Sequence, residues 1–276
     1  MALDLAQHFL AALPELRIHP TAKRVRAFVG DAPVIDSTRA LIVWEPRRVV
    51  PSYAVPIGDI TAPLQPVAAE ATAEELPVEV SGAPVLDPRT GFAFHTIDGH
   101  SFDVAASTTL PNAAFVADDP DLDGYAIIDF DAFDEWREED ELLVAHARDP
   151  FGTVDTRRSS RRVVVEIAGT TIAESTRSVM LFETFLPTRY YVPRDDVRLD
   201  LLEPTSTQTA CAYKGFASYW SASVSGTVVP DVAWSYEDPH NYATAVQRMI
   251  CFFNERVDLT IDGVPLERPR TPWSED

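Results

Sequence analysis

Two stretches of the chain repeat one pattern of residues at matching spacing. Residues 162–169 carry an Arg-Val-Val-Val-Glu-Ile-Ala-Gly run that resembles Arg-Val-Arg-Ala-Phe-Val-Gly at residues 24–30. Two further sets of residues match with equal spacing inside each set: Ser37, Arg39 and Glu45 match Ser175, Arg177 and Glu183, and Pro56 and Asp59 match Pro193 and Asp196. A single-residue gap separates the two sets, so Tyr53 matches Tyr190 or Tyr191. We interpret the pattern as an internal duplication of a domain of roughly 110 residues, which is an ordinary domain size.

Short β-type runs broken by Gly and Pro dominate both stretches and predict antiparallel strands. Apolar residues at helical spacing in residues 3–13 predict a short amphipathic helix that ends at Pro14 and packs on the adjoining domain. Residues 131–149, rich in Asp and Glu, predict an acidic helix, and residues 242–250 a third helical stretch. The predicted fold class is mainly β, with tandem duplicated antiparallel domains and short helices.

The expected domain organisation has three parts. Residues 1–130 form a degenerate first copy that carries the N-terminal helix and an Ala/Glu/Pro-rich insertion at residues 61–90. Residues 131–160 form an acidic connector, and residues 161–268 form the second copy. A strand at residues 257–261 should reach a turn at Asp262-Gly263, with a loosely held tail after Pro265.

Composition narrows the classes of partner. The net charge of -20 disfavours binding to nucleic acid, because phosphate backbones are also negative. Residues 1–160 carry -15 of that charge, which we interpret mainly as a solvated surface. No apolar run is long enough to cross a bilayer, and residues 1–13 do not resemble a signal peptide. Because Cys211 and Cys251 are the only cysteines, we expect free thiols and a cytoplasmic location.

The two copies diverge where reactive residue types concentrate. Residues 203–220 hold Cys211, Lys214, Tyr213, Tyr219 and Trp220, in a segment too rich in Gly and Thr to be a helix. The corresponding part of the first copy has neither Cys nor Lys. We therefore expect a functional site in the second copy alone.

The second copy resembles the family catalogued as domain of unknown function 427. The matching elements are Ser175-x-Arg177, Leu181-Phe-Glu183, Arg189-Tyr-Tyr-Val-Pro193, Asp196-Val197, Thr207-x-Thr-x-Cys-x-Tyr-Lys-Gly215, Ala217-Ser-Tyr-Trp220, Val232-Ala-Trp-Ser-Tyr236 and Pro239. Residues 25–60 and 124–160 look like the two-copy members of that family.

The resemblance implies a small, antiparallel, tent-like β fold of the Mss4-like kind. The nucleotidyltransferase activity suggested for the family lacks support in this sequence, which has neither a Gly-rich phosphate loop nor an Asp-x-Asp pair placed to hold magnesium. Other tent-fold proteins carry Cys-x-x-Cys zinc knuckles. The absence of that motif here argues against structural zinc, and no cofactor or metal is expected.

Cys211, Lys214 and Glu183 are the candidate catalytic residues. Cys211 is either a nucleophile or redox thiol activated by a nearby cation, or a small residue in a β core. Lys214 either binds an anionic group or acts as an amine nucleophile, and an ion pair with Glu183 is compatible with both. On a regular strand Cys211 and Lys214 point to opposite faces, so they converge only if the backbone bulges or turns near Gly215.

Glu183 and Arg177 are expected on one face of one strand, because they lie six residues apart. A structural ion pair is favoured, since the first copy repeats it as Arg39 and Glu45, although a buried Glu183 could also act as a general acid or base. His240 could complete a Cys–His pair with Cys211, or it could be a cap or surface residue, and His146 has the same alternatives.

A ring of aromatic and cationic residues is expected to line the pocket, although some of the aromatics will serve only as core packing. Those candidates for ligand contact are Arg177, Arg189, Tyr190, Tyr191, Tyr213, Trp234 and Tyr236. Strand alternation allows only one of Tyr219 and Trp220 to face it. Two hypotheses stand: a site for an unidentified small molecule, enzymatic through Cys211 or Lys214, or a non-catalytic binding module in which both residues are structural.

Overall fold

A computed structural model describes residues 2–67, 78–80 and 82–274. The chain divides into two compact units: Met1–Val78 with Ala83–Asp149, and Glu79–Gly82 with Pro150–Asp276. The predicted connector, residues 131–160, is therefore shared between the units at residues 149 and 150. The mainly β class with antiparallel sheets is confirmed.

The first unit contains a seven-stranded and a four-stranded antiparallel sheet. The seven-stranded sheet has the order β1-β4-β5-β11-β10-β9-β6, and the four-stranded sheet has the order β13-β12-β2-β3. The strands of these sheets are β1 (Arg17–Pro20), β2 (Val25–Val29), β3 (Ala32–Ser37), β4 (Leu41–Trp44), β5 (Ser52–Pro56), β6 (Leu64–Pro66), β9 (Gly99–Ala105), β10 (Thr109–Ala117), β11 (Tyr125–Ile128), β12 (Glu135–Glu138) and β13 (Glu141–Leu143). A separate two-stranded sheet consists of β7 (Val78–Val80), which spans the boundary at residues 78 and 79, and β8 (Ala83–Val85).

The second unit also contains a seven-stranded and a four-stranded antiparallel sheet. Their orders are β14-β17-β18-β22-β21-β20-β19 and β16-β15-β23-β24. The strands are β14 (Val154–Arg158), β15 (Val163–Ile167), β16 (Thr170–Ser175), β17 (Val179–Glu183), β18 (Arg189–Val192), β19 (Leu202–Cys211), β20 (Gly215–Val224), β21 (Thr227–Tyr236), β22 (Ile250–Phe252), β23 (Asp258–Ile261) and β24 (Val264–Pro265).

The two units share one strand order. Replacing β1, β4, β5, β11, β10, β9 and β6 by β14, β17, β18, β22, β21, β20 and β19 converts the first large sheet into the second, and the small sheets convert in the same way. Strand register also places Tyr53 opposite Ile42 and Tyr190 opposite Met180, so Tyr190 is the counterpart of Tyr53. The common topology supports the predicted duplication, which remains an inference about origin.

The large sheet of the second unit has two different faces. One face packs with the four-stranded sheet around a core that includes Val165, Tyr190, Val232 and Ile261. The opposite face, called here the outer face, carries a second apolar cluster formed by Val179, Leu181, Tyr191, Ala217, Trp234, Tyr236, Ala243, Val246, Cys251 and Phe253. Ala243 and Val246 come from a 3-10 helix, Asn241–Val246, that packs on this face.

Two of the predicted helices need correction. Residues 131–149 are not a helix: Trp136 and Glu138 are buried and alternate with Glu135 and Arg137, which is the period of a strand, and they form β12. In place of a helix over residues 242–250, the chain forms the 3-10 helix Asn241–Val246 and then β22, which begins at Ile250.

The N-terminal helix α1 (Leu5–Ala11) ends before Pro14 as predicted, and Asp4 caps it by accepting from the Gln7 N–H at 3.2 Å. It has no buried residue, so the prediction that its apolar side packs is wrong, and Leu13 beyond its end is buried instead. Of the Ala/Glu/Pro-rich insertion, residues 68–77 and 81 lie outside the described residues. The predicted strand and turn at residues 257–263 are confirmed as β23 and a turn before β24.

Candidate functional site

The hairpin between β19 and β20 has a turn of three residues, 212–214. Cys211 and Gly215 are directly opposite each other in the register, and Gly215 has φ +90°, a conformation that favours glycine. The backbone therefore breaks where the convergence of Cys211 and Lys214 required it. Because Lys214 lies in the turn, strand alternation does not fix the direction of its side chain, which points toward the outer face.

Lys214 lies between a carboxylate and a thiol. Its Nζ donates to Oε2 of Glu183, the last residue of β17, and Cys211 lies close enough to contribute to the raised pKa of the amine. Lys214 is 8 % exposed, whereas Cys211 is partly exposed. Burial by itself lowers the pKa of Lys214, but attraction to Glu183 and Cys211 outweighs it and the pKa is raised. The amine is therefore held as an ammonium. We call Cys211, Lys214 and Glu183 the thiol–amine cluster.

Phenolic side chains of the outer face lie near this cluster. Tyr191 is fully buried and its oxygen accepts from Trp234 Nε1 at 3.0 Å. Burial raises the pKa of Tyr191 and of Tyr236 well above the usual range, with smaller contributions to Tyr236 from Cys211 and Glu183. Tyr219 packs against the apolar cluster of the outer face and shares a 2.8 Å hydrogen bond with Thr209. These phenols stay neutral hydrogen-bonding groups beside the charged pair.

Strand alternation separates the other aromatic candidates. Tyr190 packs in the core between the sheets and Tyr191 on the outer face, so Tyr190 does not lie with Cys211. Trp220 packs against the inter-sheet core and Tyr219 on the outer face. Tyr213, in the hairpin turn, is partly buried.

Arg177 is structural and does not pair with Glu183. It precedes β17, and its Nη2 donates to Asp196 Oδ1 at 2.6 Å while the Ser175 hydroxyl donates to Asp196 Oδ2 at 2.6 Å. The first unit repeats the arrangement, with Arg39 and Ser37 bound to Asp59. The expectation of an Arg177–Glu183 pair on one strand face is therefore wrong, because both arginines bind an aspartate from a different element.

Arg189 forms a buried ion pair. Its Nη1 and Nη2 donate to Glu255 at 2.6 and 2.8 Å, and neither side chain is more than 7 % exposed. Burial alone would raise the pKa of Glu255, but the hydrogen bonds from Arg189 keep it below its usual value. Thr271 also donates to Glu255 at 2.6 Å and Trp273 packs on the outer-face cluster, so this part of the tail after Pro265 is anchored rather than loose.

Sequence reasoning gave too little weight to two neighbours of the thiol–amine cluster. Tyr219, Ala217 and Gly215 are alternate residues of β20, and Gly215 and Ala217 are opposite Cys211 and Thr209. This alternation along the strand could have identified Tyr219 from the sequence as a neighbour of the cluster. His240 lies directly beside the hairpin turn, where its N–H donates to the Lys214 carbonyl at 3.2 Å. His146 belongs to the first unit.

Within residues 2–67, 78–80 and 82–274, no group of three or more His, Cys, Asp or Glu residues is arranged to hold a metal ion. A shallow, open depression lies away from the thiol–amine cluster, and Glu174, Asp195, Asp196 and Arg198 contribute to its lining. In the part of the chain that the structure describes, no helix is long and apolar enough to cross a membrane.

The comparison with protein families finds a match in the second unit. Residues 155–263 match the model of the family described as "Domain of unknown function (DUF427)". This confirms the resemblance for the second copy, and the two-copy arrangement remains a prediction. A comparison with curated proteins finds no match.

Proposed function

We propose that the second unit binds a small molecule at the thiol–amine cluster and that the sulfur of Cys211 is the nucleophile that reacts with it. The observation that carries the proposal is the position of Lys214: a nearly buried ammonium donates a hydrogen bond to Glu183 and lies beside a partly exposed thiol. An ammonium beside sulfur stabilises negative charge there, and a thiolate is the reactive form of cysteine.

The same arrangement favours one class of ligand. A nucleophilic sulfur requires an electrophilic centre, and the ammonium attracts a negatively charged group near that centre. Tyr219 and Tyr236 supply neutral hydroxyl groups beside it. The expected ligand is thus a small, anionic electrophile. Glu183 orients the amine and partly neutralises it, so the site binds such ligands less strongly than an unpaired lysine would.

Alkylation of the two cysteines tests this proposal. Cys251 is fully buried, and burial raises its pKa to about 12, so it serves as the unreactive internal control. The ratio of the alkylation rate with iodoacetate to that with iodoacetamide should be higher for Cys211 than for a free thiol, because iodoacetate is anionic. Lys214→Met should abolish that preference, measured by peptide mass spectrometry.

The chain offers a matched control. Lys23, its only other lysine, also pairs with a glutamate, Glu138 at 2.5 Å, but lies in the first unit. Lys23→Met should leave the reagent preference of Cys211 unchanged. If Cys211 of the native protein resists both reagents, or if Lys214→Met keeps the preference, the proposed reactivity is wrong.

The second candidate function is a non-catalytic binding module in which the cluster only supports the fold. Glu45 favours it: this buried carboxylate occupies the position of Glu183 in the first unit, where it is held by His95 and Thr96 without any thiol. An unreactive Cys211 together with loss of stability in Lys214→Met would support this alternative.

The proposal also covers the class of binding partner and the cellular compartment. The partner is a small molecule rather than nucleic acid, in keeping with the charge of -20. The two free thiols fit a reducing compartment such as the cytoplasm.

A further inference from the structure

His240 lies against the hairpin turn at Gly215. A side-chain Cβ placed on Gly215 would come within 3.2 Å of His240 Cδ2 and 3.4 Å of Nε2. The His240 N–H donates to the carbonyl of Lys214, the residue before Gly215. The imidazole therefore fills the space that any other residue at position 215 would need, and its backbone is tied to the same turn.

The imidazole lies next to the residue pair that contains the thiol. Cys211 and Gly215 are directly opposite each other in the register, with Cα atoms about 4.5–5.5 Å apart. The ring occupies the Cβ side of Gly215, so His240 adjoins the pair at the end of the hairpin.

The hydrogen bonds of the cluster leave the thiol proton without an assigned acceptor. An ammonium has donors only, so in its contact with Lys214 the sulfur of Cys211 must accept. A proton on that sulfur has to be given to another group when the sulfur attacks. Nε2 is the His240 ring nitrogen that faces the hairpin, and Nδ1 is buried with no hydrogen-bond partner among the described residues.

We propose that His240 is the base that accepts the proton of Cys211 when the sulfur attacks an electrophile. The S–H bond breaks and its proton passes to the imidazole, a new bond forms between sulfur and the electrophilic carbon, and the leaving group departs with its electron pair. The inference rests on the proposed function of the thiol–amine cluster. Ligand-free sites commonly hold such pairs at longer distance than the reacting complex does.

The pH dependence of alkylation tests this role. His240→Gln keeps a hydrogen-bonding side chain but removes the base, so the rate with iodoacetamide at pH 7 should fall at least about 10-fold. Above about pH 9.5, where ordinary thiols ionise without a base, the rates of the variant and the native protein should converge. Added imidazole should restore much of the pH 7 rate in His240→Ala.

Two controls separate this role from a structural one. Cys251 must stay unlabelled in each variant, which shows that the second unit remains folded, and His100→Gln in the first unit should change nothing. Equal pH 7 rates for His240→Gln and the native protein would overturn the assignment of the base while leaving the Lys214-dependent proposal intact. A native Cys211 that does not react would overturn both.

Discussion

Glu45 and Glu183 occupy the same position in two units with the same strand order, yet they have different partners. Glu45 follows β4, is 2 % exposed, and accepts from His95 Nδ1 at 2.9 Å and from the Thr96 N–H at 2.7 Å. Glu183 ends β17 and accepts from Lys214. The shared sheet places a glutamate at this point, and the connection that faces it determines which groups bind the carboxylate.

The facing connections differ in how they are built. In the second unit the ten-residue strands β19 and β20 meet in a turn of three residues, which brings Lys214 next to Cys211. In the first unit the corresponding strand β6 has three residues, and residues 67–98 separate it from β9. There His95 precedes β9 and its ring stacks on Phe115 with centroids 3.7 Å apart. A tight hairpin thus creates a thiol–amine contact where a long connection creates an imidazole–carboxylate contact.

The largest expected loss of stability comes from breaking the Arg189–Glu255 ion pair. The register places Ser52 of the first unit at the position of Arg189, so the shared scaffold does not require a cation there. Arg189→Met should lower the free energy of unfolding of the second unit by about 3–5 kcal/mol, because it leaves Glu255 buried without its partner. Urea-dependent labelling of Cys251, which is buried in that unit, measures the change.

A double replacement sharpens this prediction. Arg189→Met with Glu255→Leu should recover much of the lost stability, because both charges are then removed. If the double variant is as unstable as the single variant, the packing of the side chains rather than the unpaired charge accounts for the loss.

A smaller effect is expected at Lys214. Lys214→Met leaves Glu183 without its cation and should cost about 2–3 kcal/mol, less than a fully buried pair, because the two side chains are 10 % and 17 % exposed. Glu45→Gln, which keeps the first unit's side-chain shape, should leave the Cys251 labelling of the second unit unchanged. An equal loss of protection in both variants would contradict the assignment of these pairs to separate units.

The smallest effects should be equal in the two units. Ser37→Ala and Ser175→Ala each remove one hydrogen bond to an aspartate, worth about 1 kcal/mol. Hydrogen-exchange mass spectrometry can follow each unit separately, and clearly unequal losses would show that the two Ser-x-Arg motifs are not equivalent.

The Ser175 effect should depend on pH. Hydrogen bonds from Arg177 and Ser175 keep the pKa of Asp196 below its usual value. Their contribution is therefore present above about pH 4 and is lost as the pH falls through the folded-state value. Ser175→Ala should therefore cost less stability in acid than at pH 7, and an equal cost at both pH values would contradict this.

Local sequence patterns predicted the strands and the repeated motifs. They failed where contacts with residues distant in the sequence determine the structure. The matching of Ser37-x-Arg39 and Ser175-x-Arg177 pointed to equivalent structures. A break in the strand near Gly215 was stated only as the condition for Cys211 and Lys214 to converge, and the structure meets that condition. The acidic composition of residues 131–149 suggested a helix, although burial of Trp136 and Glu138 in the sheet determines a strand.

The partners of the charged residues could not be predicted from the sequence. Arg189 pairs with Glu255, 66 positions further along the chain, and Arg177 with Asp196 from another element. Spacing along one strand defines which residues share a face, but the ion pair that forms depends on which strands become neighbours. His240 reaches Gly215 for the same reason, through the packing of the segment that precedes its 3-10 helix.

The most direct test of the central claim is the kinetics of labelling Cys211 with a set of small anionic electrophiles. A binding site predicts that the labelling rate saturates with concentration for at least one reagent, because a reversible complex forms before the covalent bond. Intact-protein mass spectrometry should show one adduct, absent in Cys211→Ser. Rates that rise linearly with every reagent, or that match those of a free thiol in unfolded protein, would contradict a binding site at the thiol–amine cluster.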